Sequence, residues 1–265
     1  MSSATLLPNL LLVLLLSPSA RPLPALSQED ELAATLRAEG LVLEREQGWL
    51  LVPVRVQIKH DLLEYLLVGP NGAAHESLFL TRVRPSLLNA GLLLLGVEPG
   101  RNAWLETLPP AASDAPPERR IHAPEGDGFY LYAAWREAGE TYFFRVEDLI
   151  RNFASGRSLR RHRWVYLGSR FAALKPGAAE SFLADVEGNL INLSFFFQGN
   201  TLLTAALEEC AEQTIWAANE WLLPESGAPL ALLFARAPLA ALPEGLGAHL
   251  PEVPAEGAEP GGDAK

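Results

Sequence analysis

The feature that most constrains the fold is a series of short β-prone runs separated by turn residues, without regular alternation of strands and helices. In residues 49–58, every second residue from Val52 to Ile58 is apolar, whereas Arg55 and Gln57 belong to the opposite face. This period of two is typical of a strand with one buried face. We therefore predict an α+β fold in which strands dominate.

Two segments predict helices within this strand-dominant single body. Residues 28–40 begin with acidic side chains and end at Gly40, which suits a helix terminus. Residues 85–95 begin at Pro85, carry leucine on nearly every side and precede Gly96. Because the second helix has so little polar surface, we expect a buried leucine-rich helix at the centre of the core, beside a few short helices.

Two turns predict β-hairpins. The tetrapeptide Gly-Pro-Asn-Gly at 69–72 favours a tight reversal between strands at 64–68 and 73–81, since proline presets the first turn residue and Asn-Gly tolerates positive φ. The Ala-Gly pair at 138–139 predicts a second hairpin.

The N-terminus predicts export. An almost pure leucine run at 10–16 forms the centre of an apolar stretch that is shorter than the roughly 20 residues needed to span a bilayer. Ala25 and Ser27 place small residues where signal peptidase requires them. We predict a signal peptide at 1–27 cleaved after Ser27, a location in the periplasm or at the cell surface, and no transmembrane segment.

The remaining chain divides by composition. Residues 28–236 form the predicted globular body, interrupted by a long loop at about 108–128 that is rich in Pro, Ala, Asp and Gly. Residues 237–265 are rich in Ala, Pro, Gly and Glu, which predicts a disordered acidic tail.

Charge and cysteine content exclude several classes of protein. The net charge of −11 disfavours nucleic acid and anionic membrane surfaces as partners. The arginines at 157–163 reverse this sign locally, and we expect them to pair with acids of the same chain such as Glu147 and Asp148. Cys210 is the single cysteine, so an iron–sulfur cluster is excluded, and we predict no cofactor.

Motifs for catalysis are absent: the chain has no Gly-rich phosphate loop, nucleophile elbow or paired-cysteine metal site. The candidate binding residues are Glu64, His75, Glu76 and Ser77, which the first predicted hairpin would bring opposite one another. They can bind a cation or relay a proton, or Glu76 can be a structural carboxylate that satisfies backbone N–H groups. Neighbouring strand residues point to opposite faces, so His75 and Glu76 do not converge easily on one ion, and we predict no metal site.

Residues 62–100 (LLEYLLVGPNGAAHESLFLTRVRPSLLNAGLLLLGVEPG) resemble the YdjY-like domain of exported bacterial proteins. The resemblance rests on the glycine turn, the His75-Glu76-Ser77 triplet and the leucine helix, with later similar blocks at 164–169 and 187–191. It implies no established molecular function, and it places His75 and Glu76 at the most distinctive position of the family. Some relatives carry a ferredoxin-like or redox label, which the single cysteine of this chain contradicts.

These observations predict an exported soluble envelope protein that acts as a non-enzymatic binding or assembly module, with an envelope protein as a possible class of partner. The alternative is a metal-dependent or His/Glu-assisted enzyme centred on His75 and Glu76.

Overall fold

The computed structural model describes residues 28–109 and 117–254. Within these ranges the α-helices are α1 (Gln28–Ala38), α2 (Pro85–Leu93) and α3 (Leu183–Glu187), and short 3-10 turns occur between other elements. The strands of the same ranges are β1 (Val42–Glu44), β2 (Trp49–Val56), β3 (Tyr65–Val68), β4 (Ser77–Leu80), β5 (Trp104–Leu108), β6 (Glu118–His122), β7 (Gly128–Glu137), β8 (Glu140–Arg145), β9 (Ile150–Asn152), β10 (Arg157–Ser158), β11 (Trp164–Tyr166), β12 (Phe171–Ala173), β13 (Glu180–Phe182), β14 (Asn189–Asn192), β15 (Leu203–Thr204), β16 (Trp216–Ala218), β17 (Pro229–Ala235) and β18 (Glu252–Val253).

Eight strands close into a barrel in the order β2, β17, β7, β11, β15, β14, β3, β4. Closure occurs where β4 pairs back onto β2, at Arg55 with Leu80 and at Val56 with Phe79. The predicted α+β fold class is therefore wrong, because the body is a closed barrel with helices packed against it. Periodicity identifies strands one at a time, but it carries no information on which strands pair and whether the sheet closes.

Helix α2 forms and buries Leu88 and Leu92 in the main hydrophobic core, but it ends at Leu93 and is buried on one side only. Its Gly91 lies against Leu50 of β2 and Leu36 of α1, whereas Leu93 is about half exposed. The largest fully buried side chains belong mainly to the strands, among them Trp135, Trp164, Phe79, Phe129 and Phe234. The barrel interior is the core, because alternate residues of every strand converge there.

Two neighbouring pairs of barrel strands are parallel, namely β3 with β4 and β14 with β15. The hairpin predicted at 69–72 is therefore wrong: Tyr65 pairs with Ser77 in parallel register, and residues 69–76 return the chain to the starting end of β3. Residues 193–202 do the same between β14 and β15. The second predicted hairpin is confirmed, with β7 and β8 antiparallel and Ala138 and Gly139 at positive φ in the turn.

The predicted loop at 108–128 contains regular structure, since its strand β6 pairs with β5 to form an antiparallel arm. Residues 110–116 of the predicted loop lie outside the described ranges. Residues 237–254 of the predicted tail pack on the outer face of the barrel, where Leu246 and Leu250 cover Leu51 and Leu233. Average composition did not predict this packing, because it depends on a few leucines scattered among Ala, Pro, Gly and Glu. The predicted signal peptide and residues 255–265 lie outside the described residues.

None of the helices in the described ranges is long and apolar enough to cross a membrane.

The seam between β7 and β11 leaves no room for a side chain at Gly128. A Cβ atom there would overlap the carbonyl group of Trp164 on the neighbouring strand. Because backbone rather than a flexible side chain would have to move, we expect Gly128→Ala to lower the free energy of unfolding by about 3 kcal/mol or more. The matched control is Gly247→Ala, where a Cβ atom would lie 4.0 Å from Leu242. Urea denaturation should leave the control within about 0.5 kcal/mol of wild type; equal losses in both variants would contradict the tight seam.

Candidate functional site

A pocket of about 380 Å³ lies between β3, β14 and the connection 193–202. It exists because the parallel arrangement of β14 and β15 forces the chain to run back beside β14. We call it the amide pocket, since five carboxamide side chains line it: Asn189, Asn192, Gln198, Asn200 and Gln213. Aromatic residues also line it: Tyr65, Phe195, Phe196 and Phe197.

Asn192 is the residue that marks this pocket as a site. It is only 5% exposed, and its Oδ1 atom has no hydrogen-bond partner among the described residues. Its main chain is fixed in the sheet, where it pairs with Tyr65 on one side and Thr204 on the other. A buried carboxamide oxygen ordinarily has a partner, so this atom indicates that a ligand or a bound water completes the site.

Two further buried hydroxyl oxygens close to Asn192 in the sheet also have no partner within the described ranges. They are the Oγ atom of Ser194 and the Oγ1 atom of Thr204. Neither residue lines the amide pocket, so Asn192 is the member of this group that belongs to the pocket lining.

Other carboxamides of the pocket are held by neighbouring groups. Asn189 Oδ1 accepts a hydrogen bond of 3.0 Å from the Ala73 backbone N–H. Asn200 Nδ2 donates to Glu187 Oε1 at 2.6 Å, while its Oδ1 accepts from Arg170 Nε at 3.0 Å. These bonds fix the orientation of the side chains, which reduces the entropy that binding would cost.

The electrostatic environment of the pocket is negative. Tyr65 stacks on Phe196 with ring centroids 5.0 Å apart. Burial raises the pKa of Tyr65 to about 12, and the nearby carboxylates of Glu64, Glu76 and Glu187 add to the rise. The phenol therefore remains protonated at physiological pH.

Glu64 and Glu76 lie next to each other, as predicted, although parallel rather than antiparallel strands bring them together. The Glu64 backbone N–H donates to the Glu76 carbonyl at 2.9 Å, and the Glu64 carbonyl accepts from Leu193 and Ser194. Burial raises the pKa of the Glu64 carboxyl, Glu76 raises it further, and His75 opposes the rise. Glu64 therefore joins the start of β4 to the end of β14 through its backbone.

None of the four predicted site residues, Glu64 included, belongs to the pocket lining. Ser77 is buried, and its hydroxyl donates to the Phe79 carbonyl at 2.8 Å, which is a structural role. The side chain of His75 is 79% exposed, and its Nε2 atom lies 3.8 Å from Glu76 Oε1. The Glu76 side chain is itself 38% exposed, so it is not a buried carboxylate. The residue lies in a 3-10 turn.

His60 and His122 have their own acidic partners, away from Glu64 and Glu76. His60 pairs with Glu220 at 2.8 Å, and His122 pairs with Glu106 at 2.7 Å. In the part of the chain that the structure describes, no three His, Cys, Asp or Glu side chains are grouped so that they could hold a metal ion.

The model of the YdjY domain family matches residues 42–235. The chain belongs to this family. The matched range extends from β1 to the end of β17, so it contains the whole barrel of this YdjY domain and both strands that border the amide pocket. No curated protein and no solved structure matches the chain.

A second buried polar cluster of the YdjY domain surrounds Glu147, whose side chain is fully buried. Arg145 donates to both carboxylate oxygens, at 2.9 and 2.5 Å, and Trp164 Nε1 donates at 3.0 Å. Because this carboxylate is saturated with donors, we assign it a structural role.

Arg160, Arg161 and Arg163 pair with acids of the same chain, as predicted. Arg161 contacts Asp148 at 2.6 Å, and Arg160 contacts Glu209 at 3.2 Å.

Sequence reasoning missed Asn192 and the other carboxamides. A signal was available, since Asn189 and Asn192 interrupt an otherwise apolar strand and amides follow the three phenylalanines. Asparagine is depleted in strands, so an Asn at each end of a buried run favours a specific role for the side chain.

Substitution of Asn192 separates a binding role from a structural one. Asn192→Leu removes a buried acceptor that has no partner, so we expect the free energy of unfolding to stay equal or to rise by about 1 kcal/mol. Asn189→Leu is the matched control, because it deprives the Ala73 N–H of its acceptor and should cost about 1–3 kcal/mol. Urea midpoints at constant slope provide the comparison. A similar loss in both variants would show that Asn192 is structural.

His162 predicts a pH dependence of stability. Burial lowers its pKa below the usual 6.5, and the neighbouring Glu147 carboxylate opposes this only in part. The unfolded chain therefore takes up this proton at a higher pH than the folded protein does. Stability from the neutral ring is complete above pH 6.5 and is lost as the pH falls from 6.5 toward the lowered pKa.

We expect the free energy of unfolding to fall less between pH 7 and 5 in His162→Phe than in wild type. Phenylalanine keeps the packing of the ring against Trp164. The exposed His75 provides the control variant His75→Phe, which should retain the wild-type slope. Equal slopes in wild type and His162→Phe would exclude His162 as the origin of the effect.

Proposed function

We propose that this chain is an exported binding module of the bacterial cell envelope, without catalysis of its own, and that the amide pocket holds its ligand. The observation that carries the proposal is Asn192, a residue of the pocket lining whose buried Oδ1 atom lacks a partner within the described ranges. A natural ligand would supply the missing hydrogen-bond donor.

The size of the pocket favours a small molecule. Ligand-binding pockets commonly measure roughly 300–1,000 Å³, and the amide pocket, at about 380 Å³, lies near the lower limit. An envelope protein as partner would have to use another surface, or insert a single side chain or chain end here.

The chemistry of the lining favours binding over acid–base catalysis. An efficient general acid or base titrates near the working pH. Among the residues that line the pocket, Tyr65 has a pKa of about 12, and Glu187 is the one carboxylate and accepts a hydrogen bond from Asn200. The alternative of an enzyme centred on His75 and Glu76 gains no support from the amide pocket, because neither side chain belongs to its lining and both are more than a third exposed.

The proposal is tested by ligand-observed NMR with three panels of small compounds: neutral saccharides, capped dipeptides and nucleosides. We expect one panel to contain a ligand that binds wild type and binds Asn192→Leu at least about tenfold more weakly, which corresponds to roughly 1.4 kcal/mol for the lost hydrogen bond.

The matched control is Thr204→Val, which also removes a buried oxygen without a partner but does not alter the pocket lining. It should bind as wild type does. Equal binding by wild type and Asn192→Leu, binding by none of the panels, or chemical turnover of the bound compound would each overturn the proposal.

A further inference from the structure

We infer that the ligand of the amide pocket is a neutral mono- or disaccharide, an inference that rests on the proposed function. Three properties of the lining support this class of ligand: its carboxamides, its charge and its aromatic rings.

The carboxamides match hydroxyl groups. A carboxamide offers an acceptor oxygen and two N–H donors, and a sugar hydroxyl is at once a donor and an acceptor. The buried Asn192 Oδ1 atom requires a donor, which a hydroxyl hydrogen can supply. Gln198 and Gln213 place further groups of the same dual character in the lining. A ligand with several hydroxyls can satisfy such a lining, whereas a largely apolar ligand would leave these groups unpaired.

The charges disfavour an anion. Glu187 lines the pocket, and the carboxylates of Glu64 and Glu76 lie close enough to raise the pKa of Tyr65. No lysine or arginine belongs to the described lining, and Arg170 contacts Asn200 Oδ1 without lining the pocket itself. A carboxylate or phosphate would meet like charges without a compensating cation.

A cationic ligand is also less well matched. Glu187 is the single carboxylate of the described lining, and one of its oxygens already accepts a short hydrogen bond from Asn200. The carboxamides outnumber it, and they carry no net charge. The lining therefore suits a neutral ligand with many hydrogen-bonding groups better than an amine.

The aromatic rings provide flat apolar faces. Phe196 is held parallel to Tyr65, at an angle of 4° between the rings, so its orientation is fixed before binding. Phe197 is about half exposed and belongs to the same lining. The C–H face of a pyranose ring can pack on such rings while its hydroxyls reach the carboxamides.

The test compares ligands that share one ring but differ in charge. By NMR titration at pH 6, glucose and N-acetylglucosamine are the neutral probes, glucuronate is the anion and glucosamine is the cation. Cellobiose and N,N′-diacetylchitobiose extend the neutral series to disaccharides, and N-acetylalanine methylamide is a neutral probe without hydroxyls.

We expect at least one neutral sugar to bind wild type and Thr204→Val equally and to bind Asn192→Leu at least about tenfold more weakly. Its dissociation constant should be at least about tenfold lower than those of glucuronate and glucosamine. Phe197→Ala should weaken binding of the same sugar without affecting the urea midpoint, because about half of the side chain is exposed.

Stronger binding of glucosamine, or of the capped alanine, with the same dependence on Asn192 would overturn the saccharide inference and leave the binding function standing. Absence of binding by every neutral sugar would also overturn it. If, in addition, no other small-molecule panel shows binding that depends on Asn192, the proposed function falls as well.

Discussion

The two parallel strand pairs are the constraint on which the rest of this structure depends. In a barrel built entirely from hairpins, each strand would reverse directly into its neighbour, and no chain would need to pass beside a strand. Here β3 and β4, and likewise β14 and β15, run in the same direction, so residues 69–76 and 193–202 must return to the starting end. The second of these connections, together with β3 and β14, encloses the amide pocket.

The two connections also contact other parts of the barrel, outside the hydrogen bonds between paired strands. Gly72 of the first connection lies so close to the Gly188 carbonyl and to Asn189 that a Cβ atom there would clash with both. Asn189 in turn accepts the Ala73 N–H, which binds this connection to the start of β14. At the other end of β14, the Glu64 carbonyl accepts the N–H groups of Leu193 and Ser194. The pocket is therefore framed by backbone that is held at both ends.

Two buried polar groups of this YdjY domain illustrate the difference between a structural and a functional group. The Glu147 carboxylate is fully buried and receives donors from Arg145 and Trp164 on both oxygens, so its desolvation is offset within the fold. The Asn192 carboxamide is almost as deeply buried, yet its oxygen has no partner in the described part of the chain. A fold that leaves such a group unsatisfied is less stable than it could be, and this pattern is common where a site is prepared for a ligand.

The sequence by itself determined the family, most of the individual strands and the turn at Ala138 and Gly139. All of these depend on local periodicity, turn chemistry or short motifs, which act over a few residues. Only the tertiary structure decided that the sheet closes, that β3 and β4 are parallel and that residues 237–254 cover the outer face of the barrel. It alone brought Asn192 to Tyr65, residues far apart in the chain. Such outcomes depend on which strands pair, and pairing is set by the burial of the whole apolar surface at once rather than by any single segment.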